Sequence, residues 1–123
     1  MSSVISFEIF VTDIQRAINF YSKTFGLEIG KVHESASKQT KVAFFLSEQD
    51  QKGIGGTLVE DQAYLALLKT RHMNGIILHF HSNDIQLTLK KVIDNGGTII
   101  FDNISYARVQ DSEGNQIGIR TVD

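Results

Sequence analysis

The sequence predicts an α+β fold in which two βαβββ modules form one cup-shaped mixed sheet with the helices on its outer side. Two observations predict this fold. A tripeptide occurs twice, as Asp13-Ile14-Gln15 and as Asp84-Ile85-Gln86, an offset of 71 residues from position 13 to position 84. The same order of strands and helix surrounds both copies, which indicates a duplicated unit. The 123 residues fit one domain, 1–123, with a first module at about 1–60, a linker at about 61–74 and a second module at about 75–123.

The first module begins with a strand at about residues 4–11, where apolar and polar side chains alternate. A helix at about 13–25 follows, because apolar residues there repeat at the helical period and form one stripe: Ile14, Ala17, Ile18 and Tyr21. Thr12 and Gln15 have the spacing of a capping box, and Gly26 is typical of the residue that ends a helix. Three strand-like runs complete the module, at about 27–33, 40–47 and 54–60, with a polar loop at 47–53.

The second module repeats this order. A strand at about 75–82 precedes a helix at about 84–95. Asn83 and Gln86 form a looser capping box at the start of this helix, and Gly96-Gly97 end it. Strands are predicted at about 98–101, 104–110 and 116–122, the last two joined by a hairpin turn at 111–115. Residues 64–68 of the linker predict a short helix. The alternative is a generic α+β domain in which two amphipathic helices are alike by chance.

Composition excludes several classes of protein. The chain has no cysteine, which removes disulfides, thiolate metal sites and cysteine nucleophiles. A net charge of −2 and the absence of a long basic run argue against nucleic acid as a partner. No apolar run reaches the roughly 20 residues that span a bilayer, so no membrane partner is expected. The first residues lack the positive charge of a secretory signal, which favours a cytoplasmic location.

Several motifs resemble the vicinal oxygen chelate superfamily, which includes glyoxalase I, extradiol dioxygenases, and bleomycin and fosfomycin resistance proteins. The motifs are Val11-Thr12-Asp13-Ile14-Gln15-Arg16-Ala17-Ile18-Asn19-Phe20-Tyr21, Phe25-Gly26, Asn95-Gly96-Gly97, and Asp111-Ser112-Glu113-Gly114-Asn115-Gln116-Ile117-Gly118-Ile119. They cover both modules and are specific to the fold rather than to one activity. The resemblance implies two βαβββ modules that close a cup, in agreement with the internal repeat.

The resemblance also implies a divalent metal held by one residue from each of four strands, commonly two His and two Glu. In this sequence three of those positions fall on Ser6, Ile77 and Gly118. The fourth lies near Gly56, where Glu60 is the only carboxylate nearby. Zinc, nickel and iron need imidazole or carboxylate ligands, which these residues do not supply. We therefore expect no metal and no other cofactor.

Strand parity assigns the candidate binding residues. The apolar series Ile5, Phe7, Ile9 and Ile76, Leu78, Phe80 should pack under the helices, and the opposite series should face the cup. The last strand should pack Ile117 and Ile119 and present alternate residues to the cup, with Tyr106 and Arg108 at its rim. The candidate ligand-binding residues are Glu8, Phe10, His79, His81, Arg108, Gln116 and Arg120.

These polar residues leave three interpretations open. Glu8 could pair with a His or Arg inside a filled barrel, the group could orient a small organic ligand, or Glu8, His79 and His81 could hold a metal in an arrangement unlike that of the family. The third is weakly supported because His-x-His is a short motif.

We predict a metal-independent protein that binds a small organic molecule in the cup, as in the bleomycin resistance branch. No catalytic residue is identified from the sequence. A lyase, isomerase or dioxygenase with its metal on Glu8, His79 and His81 is the first alternative, and a non-catalytic interaction or regulatory module is the second. We expect a homodimer, because the modules leave sheet edges that a partner can cover. The resemblance implies the same, since members of the family commonly dimerise.

Overall fold

A computed structural model describes residues 6–46, 55–68 and 76–121 of the chain. Within these ranges the elements are β1 (Ser6–Phe10), α1 (Ile14–Phe25), β2 (His33–Glu34), β3 (Thr40–Phe44), β4 (Gly55–Asp61), α2 (Gln62–Leu68), β5 (Leu78–His81), α3 (Ile85–Asp94), β6 (Thr98–Asp102), β7 (Tyr106–Gln110) and β8 (Gln116–Arg120). The polar loop predicted at 47–53 and the position of Ile5 lie outside the described residues.

The strands form two four-stranded mixed sheets of the same order. The first sheet runs β1-β4-β3-β2 and the second runs β5-β8-β7-β6. In each sheet the first strand of the module pairs in parallel with the last, and the other neighbours are antiparallel. The prediction of two βαβββ modules is confirmed, and α2 is the short helix expected in the linker.

The residue that caps the start of each main helix lies one position later than predicted. Asp13 accepts a hydrogen bond from the backbone N–H of Arg16 at 3.1 Å, and Asp84 accepts one from Leu87 at 3.1 Å. The prediction that Thr12 and Asn83 cap these helices is therefore wrong. An aspartate three residues before a backbone donor satisfies the helix terminus directly. At the other end, Gly26 terminates α1 in the left-handed conformation (φ 67°), as predicted.

The core lies between the sheets and helices α1 and α3. Ile117 and Ile119 are buried on the helix side, as predicted, and Phe7, Leu78 and Phe80 pack against the same core. Phe25 of α1 stacks on Phe80 of β5 with ring centroids 4.6 Å apart, which joins the two modules through an aromatic contact. Ile76 was predicted to be packed, but it precedes β5 and is 76% exposed.

The turn between β7 and β8 (residues 111–115) binds the start of α1. The Glu113 side chain is 0% exposed and accepts hydrogen bonds from the backbone N–H groups of Thr12 (2.9 Å) and Asp13 (2.8 Å). It also forms an ion pair with Arg16, whose Nε lies 2.6 Å from Glu113 Oε2. Burial alone would raise the pKa of Glu113, but the hydrogen bonds from Arg16 and Thr12 outweigh burial and lower that pKa to about 2.

In the described part of the chain, no helix is both long enough and apolar enough to span a membrane.

Candidate functional site

Each sheet has one face toward the helices and one open face. Successive side chains on a strand point to opposite sides, so the burial of Ile9 and Leu58 on the helix side places Ser6 and Glu8 on the open face of the first sheet. The same parity places His79 and His81, both exposed, on the open face of the second sheet. The predicted assignment of faces is therefore confirmed for these strands.

The register of the second sheet brings candidate residues into one row. His79 pairs with Gly118, which pairs with Arg108 on the next strand, and Arg108 pairs with Phe101 at the edge. An adjacent row contains His81, Arg120 and Tyr106. Because paired residues share a face, both rows lie on the same open surface.

Tyr106 and Arg108 form the centre of this surface. Arg108 donates hydrogen bonds to the Tyr106 hydroxyl oxygen from Nε (3.0 Å) and Nη2 (2.6 Å), and both side chains are half-buried. The two donors occupy the lone pairs of the phenol oxygen, so its own O–H group points away from Arg108. The pair thus presents a fixed guanidinium and a hydroxyl donor to the open face.

The His79 ring lies across Gly118. A Cβ atom at Gly118 would collide with the His79 ring, whose Nε2 lies 2.9 Å from that position, and would lie 3.1 Å from the Tyr106 hydroxyl oxygen. The His79 and Tyr106 ring centroids are 5.7 Å apart. Glycine at position 118 leaves room for this arrangement of the imidazole and the phenol, which lie where a side chain would stand.

On the open face of the second sheet, the described strands carry basic side chains and no acidic ones. Among the described strands of this sheet the one acidic residue is Asp102, which lies on the helix side, where it pairs with Ala107 and accepts a hydrogen bond from Gln86. Within the described residues, Arg108 and Arg120 form no ion pair. We call this surface the cationic face: His79, His81, Phe101, Tyr106, Arg108, Gln116 and Arg120.

The two remaining candidates lie on the first sheet. Phe10 stacks on Tyr64 of the linker helix, with ring centroids 4.1 Å apart. The exposed side chain of Glu8 has no hydrogen-bond or ion-pair partner in the described ranges, and so forms neither with His79 or His81 there. The Asn115 side chain donates to the Phe10 carbonyl at 2.9 Å, so the end of β1 lies beside the start of β8.

The residues at the family's metal positions do not fit a metal. Ser6, Ile77 and Gly118 supply no imidazole or carboxylate, and the space above Gly118 is taken by the His79 ring. Glu60 lies on the opposite side of the sheet, where its carboxylate accepts a hydrogen bond from the backbone N–H of Ile14 at 2.9 Å. In the described ranges, no group of three or more His, Asp or Glu residues could hold a metal ion.

A groove of about 370 Å³ lies beside the start of α3. It is bordered by His81 of β5, by Asp84 and Lys91 of the α3 segment, and by Thr24 at the end of α1. Asp84 already caps the helix there. The hydroxyl of Thr24 has no partner in the described structure but is too deeply buried to meet a ligand in the groove. The groove therefore brings together no set of available binding groups.

Sequence reasoning placed Tyr106 only at the rim and did not identify Phe101 or Tyr64. The signal for Tyr106 was present, because Tyr106, Arg108 and Gln110 alternate with the buried Ala107 and Val109. Phe101 could not be assigned to a face from alternation, because a bulge between Ile99 and Phe101 shifts the register of β6.

Comparison with known proteins identifies the family. The model of the Glyoxalase/Bleomycin resistance protein/Dioxygenase superfamily matches residues 3–119. The chain belongs to this superfamily. A related sequence in the superfamily is a glyoxylase-like domain-containing protein of Didymella fabae, which is 26% identical over 121 residues that cover 93% of this chain and 89% of that protein.

Solved structures of superfamily proteins have the same fold. The trypanothione-dependent glyoxalase I of Leishmania major has a TM-score of 0.77 at 14% identity, covering 98% of this chain and 87% of that one. The fosfomycin resistance protein FosX of Listeria monocytogenes has a TM-score of 0.73 at 12% identity, covering 100% of this chain and 93% of that one. At these identities the likeness extends to the fold alone.

Proposed function

We propose that this superfamily member binds a small organic molecule on its cationic face without using a metal. The observation that carries the proposal is the convergence of His79, Tyr106 and Arg108 above Gly118. A binding site for a small molecule typically combines a few oriented polar groups with aromatic walls, and here Phe101 supplies a wall with its ring 5.7 Å from that of Tyr106.

Binding without a reaction centre is supported by the chemistry of the residues present. The positions that carry the metal in the family lack suitable ligands, and Glu60 is engaged at the start of α1. Binding needs only complementary shape and hydrogen bonds, both of which these groups can offer. His81, Gln116 and Arg120 of the same sheet complete the set of proposed ligand-binding residues on the cationic face. Glu8 and Phe10 of the first sheet stay predictions from the sequence.

An enzyme with a metal on Glu8, His79 and His81 is the second candidate. It is favoured by one observation, that His79 and His81 are two residues apart on one strand and so share the open face. The geometry of the described residues weighs against it, because His79 is directed over Gly118 toward Tyr106.

Screening a library of metabolites by thermal unfolding tests the proposed function. A ligand present at about 100 times its dissociation constant should stabilise the protein by about 2.7 kcal/mol. Gly118→Ala should abolish this stabilisation, because the new methyl group displaces the His79 ring, and it should leave the fold intact because the ring can rotate. Gly30→Ala is the matched control, since its Cβ would make only ordinary contacts, 3.5 Å from Leu46. Stabilising ligands that act equally on the Gly118→Ala protein would overturn the proposed site.

A further inference from the structure

We infer that the ligand of the cationic face carries a carboxylate group, which binds to Arg108. This inference rests on the proposed function, because it names the chemical class of ligand for the same surface. It follows from the orientation of the guanidinium, from the charge of the face and from the Tyr106 hydroxyl beside Arg108.

The guanidinium of Arg108 is held with one edge free. Its Nε and one N–H of Nη2 are used by the Tyr106 hydroxyl oxygen. The opposite edge, formed by Nη1 and the second N–H of Nη2, has no partner in the described structure. This edge has the spacing of the two oxygens of a carboxylate and can bind them together. Tyr106 thereby fixes the plane in which the acid group must lie.

The charge of the face favours an anion. Arg108 is half-buried, and no acidic side chain shares the open face with it in the described strands. A partly buried charge without a counterion is unfavourable, and a bound carboxylate would compensate it. Arg120, in the neighbouring row, adds a second positive charge to the surface.

One further donor, the Tyr106 hydroxyl, faces the same space. The Tyr106 O–H group is directed away from Arg108 because its oxygen accepts both guanidinium hydrogen bonds. The His79 ring covers Gly118 beside the Tyr106 oxygen and borders this space. An acid group bound to Arg108 can accept a hydrogen bond from Tyr106, and the exposed Phe101 ring provides an apolar surface for the rest of the ligand.

Titration of the full chain with benzoate and benzamide tests the inference. The two probes have the same shape, but only benzoate is charged. Benzoate should shift the Gly118 amide resonance with a dissociation constant of about 1 mM, as expected for so small a molecule. Benzamide should bind at least tenfold more weakly, because charge-assisted hydrogen bonds are the stronger ones.

Variants separate the charge from the geometry. Arg108→Gln should weaken benzoate at least tenfold, and Arg108→Lys should weaken it severalfold because lysine lacks the planar edge. Tyr106→Phe releases the guanidinium and should also weaken benzoate severalfold, which gives a second test should Arg108→Gln fail to fold. Lys90→Gln, which removes an exposed positive charge on α3, is the control and should leave benzoate binding unchanged.

Equal affinity for the two probes at Gly118, insensitive to Arg108→Gln, would overturn the carboxylate inference while leaving the ligand site in place. Benzoate shifts confined to residues outside the second sheet, or none up to about 20 mM, would also overturn it. The proposed function would fail separately, through a metabolite screen in which stabilisation does not depend on Gly118.

Discussion

The hydroxyl of Tyr21 in α1 donates a 2.6 Å hydrogen bond to Oδ2 of Asp111 in the turn between β7 and β8. Both residues are buried, and they belong to different modules. Burial raises the pKa of Asp111, while burial and the nearby Asp111 carboxylate raise that of Tyr21. The hydrogen bond therefore joins the two halves of the domain at a point where water cannot replace it.

Tyr21→Phe should destabilise the protein by about 1–3 kcal/mol, because the buried Asp111 carboxylate loses its phenolic donor. Urea unfolding followed by circular dichroism measures the change. Tyr64→Phe is the matched control, since the Tyr64 hydroxyl makes no hydrogen bond in the described structure and the residue is exposed. Equal losses in both variants would contradict a specific role for Tyr21.

Glu113→Gln should lower the free energy of unfolding at neutral pH by about 1–3 kcal/mol, since a neutral amide cannot replace the ion pair with Arg16. The pKa of Glu113 is about 2 in the fold and 4.5 ordinarily, so its contribution is complete above the ordinary pKa and disappears as the pH falls toward 2. The difference in the free energy of unfolding between wild type and Glu113→Gln should therefore shrink as the pH falls from 4.5 to about 2.

Urea unfolding at a series of acidic pH values measures this difference. Arg16→Gln removes a hydrogen bond that lowers the pKa of Glu113 in the fold, so in this variant the acid-dependent loss of stability should be smaller and should end at a higher pH. If the difference in the free energy of unfolding between wild type and Glu113→Gln does not change with pH, the ionised form of Glu113 does not stabilise the fold, and the prediction is wrong.

Protein purified without chelators should contain zinc, nickel, iron and manganese only at substoichiometric levels, because Ser6, Ile77 and Gly118 offer no ligands. Elemental analysis by mass spectrometry measures the content. Stoichiometric metal that is lost in His79→Ala or His81→Ala would instead support the enzyme with a metal on the open face.

The protein should form a homodimer, since β6 is an edge strand whose residues are all exposed, including Ile99, Ile100 and Phe101. Light scattering at micromolar concentration should give about twice the chain mass of 13.7 kDa. A mass equal to that of one chain would contradict the prediction.

Periodicity predicted the parts of this structure that repeat along the chain. The alternation in β1, β5 and β8 identified the packed and open faces, because the two-residue period of a strand is a local property. The recurrence of Asp13 and Asp84 likewise identified two equivalent helices.

Contacts between distant segments could not be predicted in this way. Glu113 reads as an ordinary turn residue, and nothing in its neighbourhood indicates that it binds Thr12 and Arg16. The stacking of Tyr64 on Phe10 is equally invisible to a local pattern. Thr12 does not cap the helix, since its hydroxyl donates to Glu113 and accepts from the Arg16 side chain rather than from a backbone N–H of the helix.

The residues that join α1 to the turn between β7 and β8 are far apart in sequence, which affects the order of folding during synthesis. Asp111 lies 90 positions after Tyr21, and Glu113 lies 101 positions after Thr12. On the ribosome, α1 therefore emerges well before the hairpin that binds its amino terminus and accepts the hydrogen bond of Tyr21. Until that hairpin is synthesised, the first module lacks these hydrogen bonds, and contacts between segments so far apart form slowly. Since the sequence contains no proline, arrival of the hairpin rather than proline isomerisation should set the pace of the final folding step.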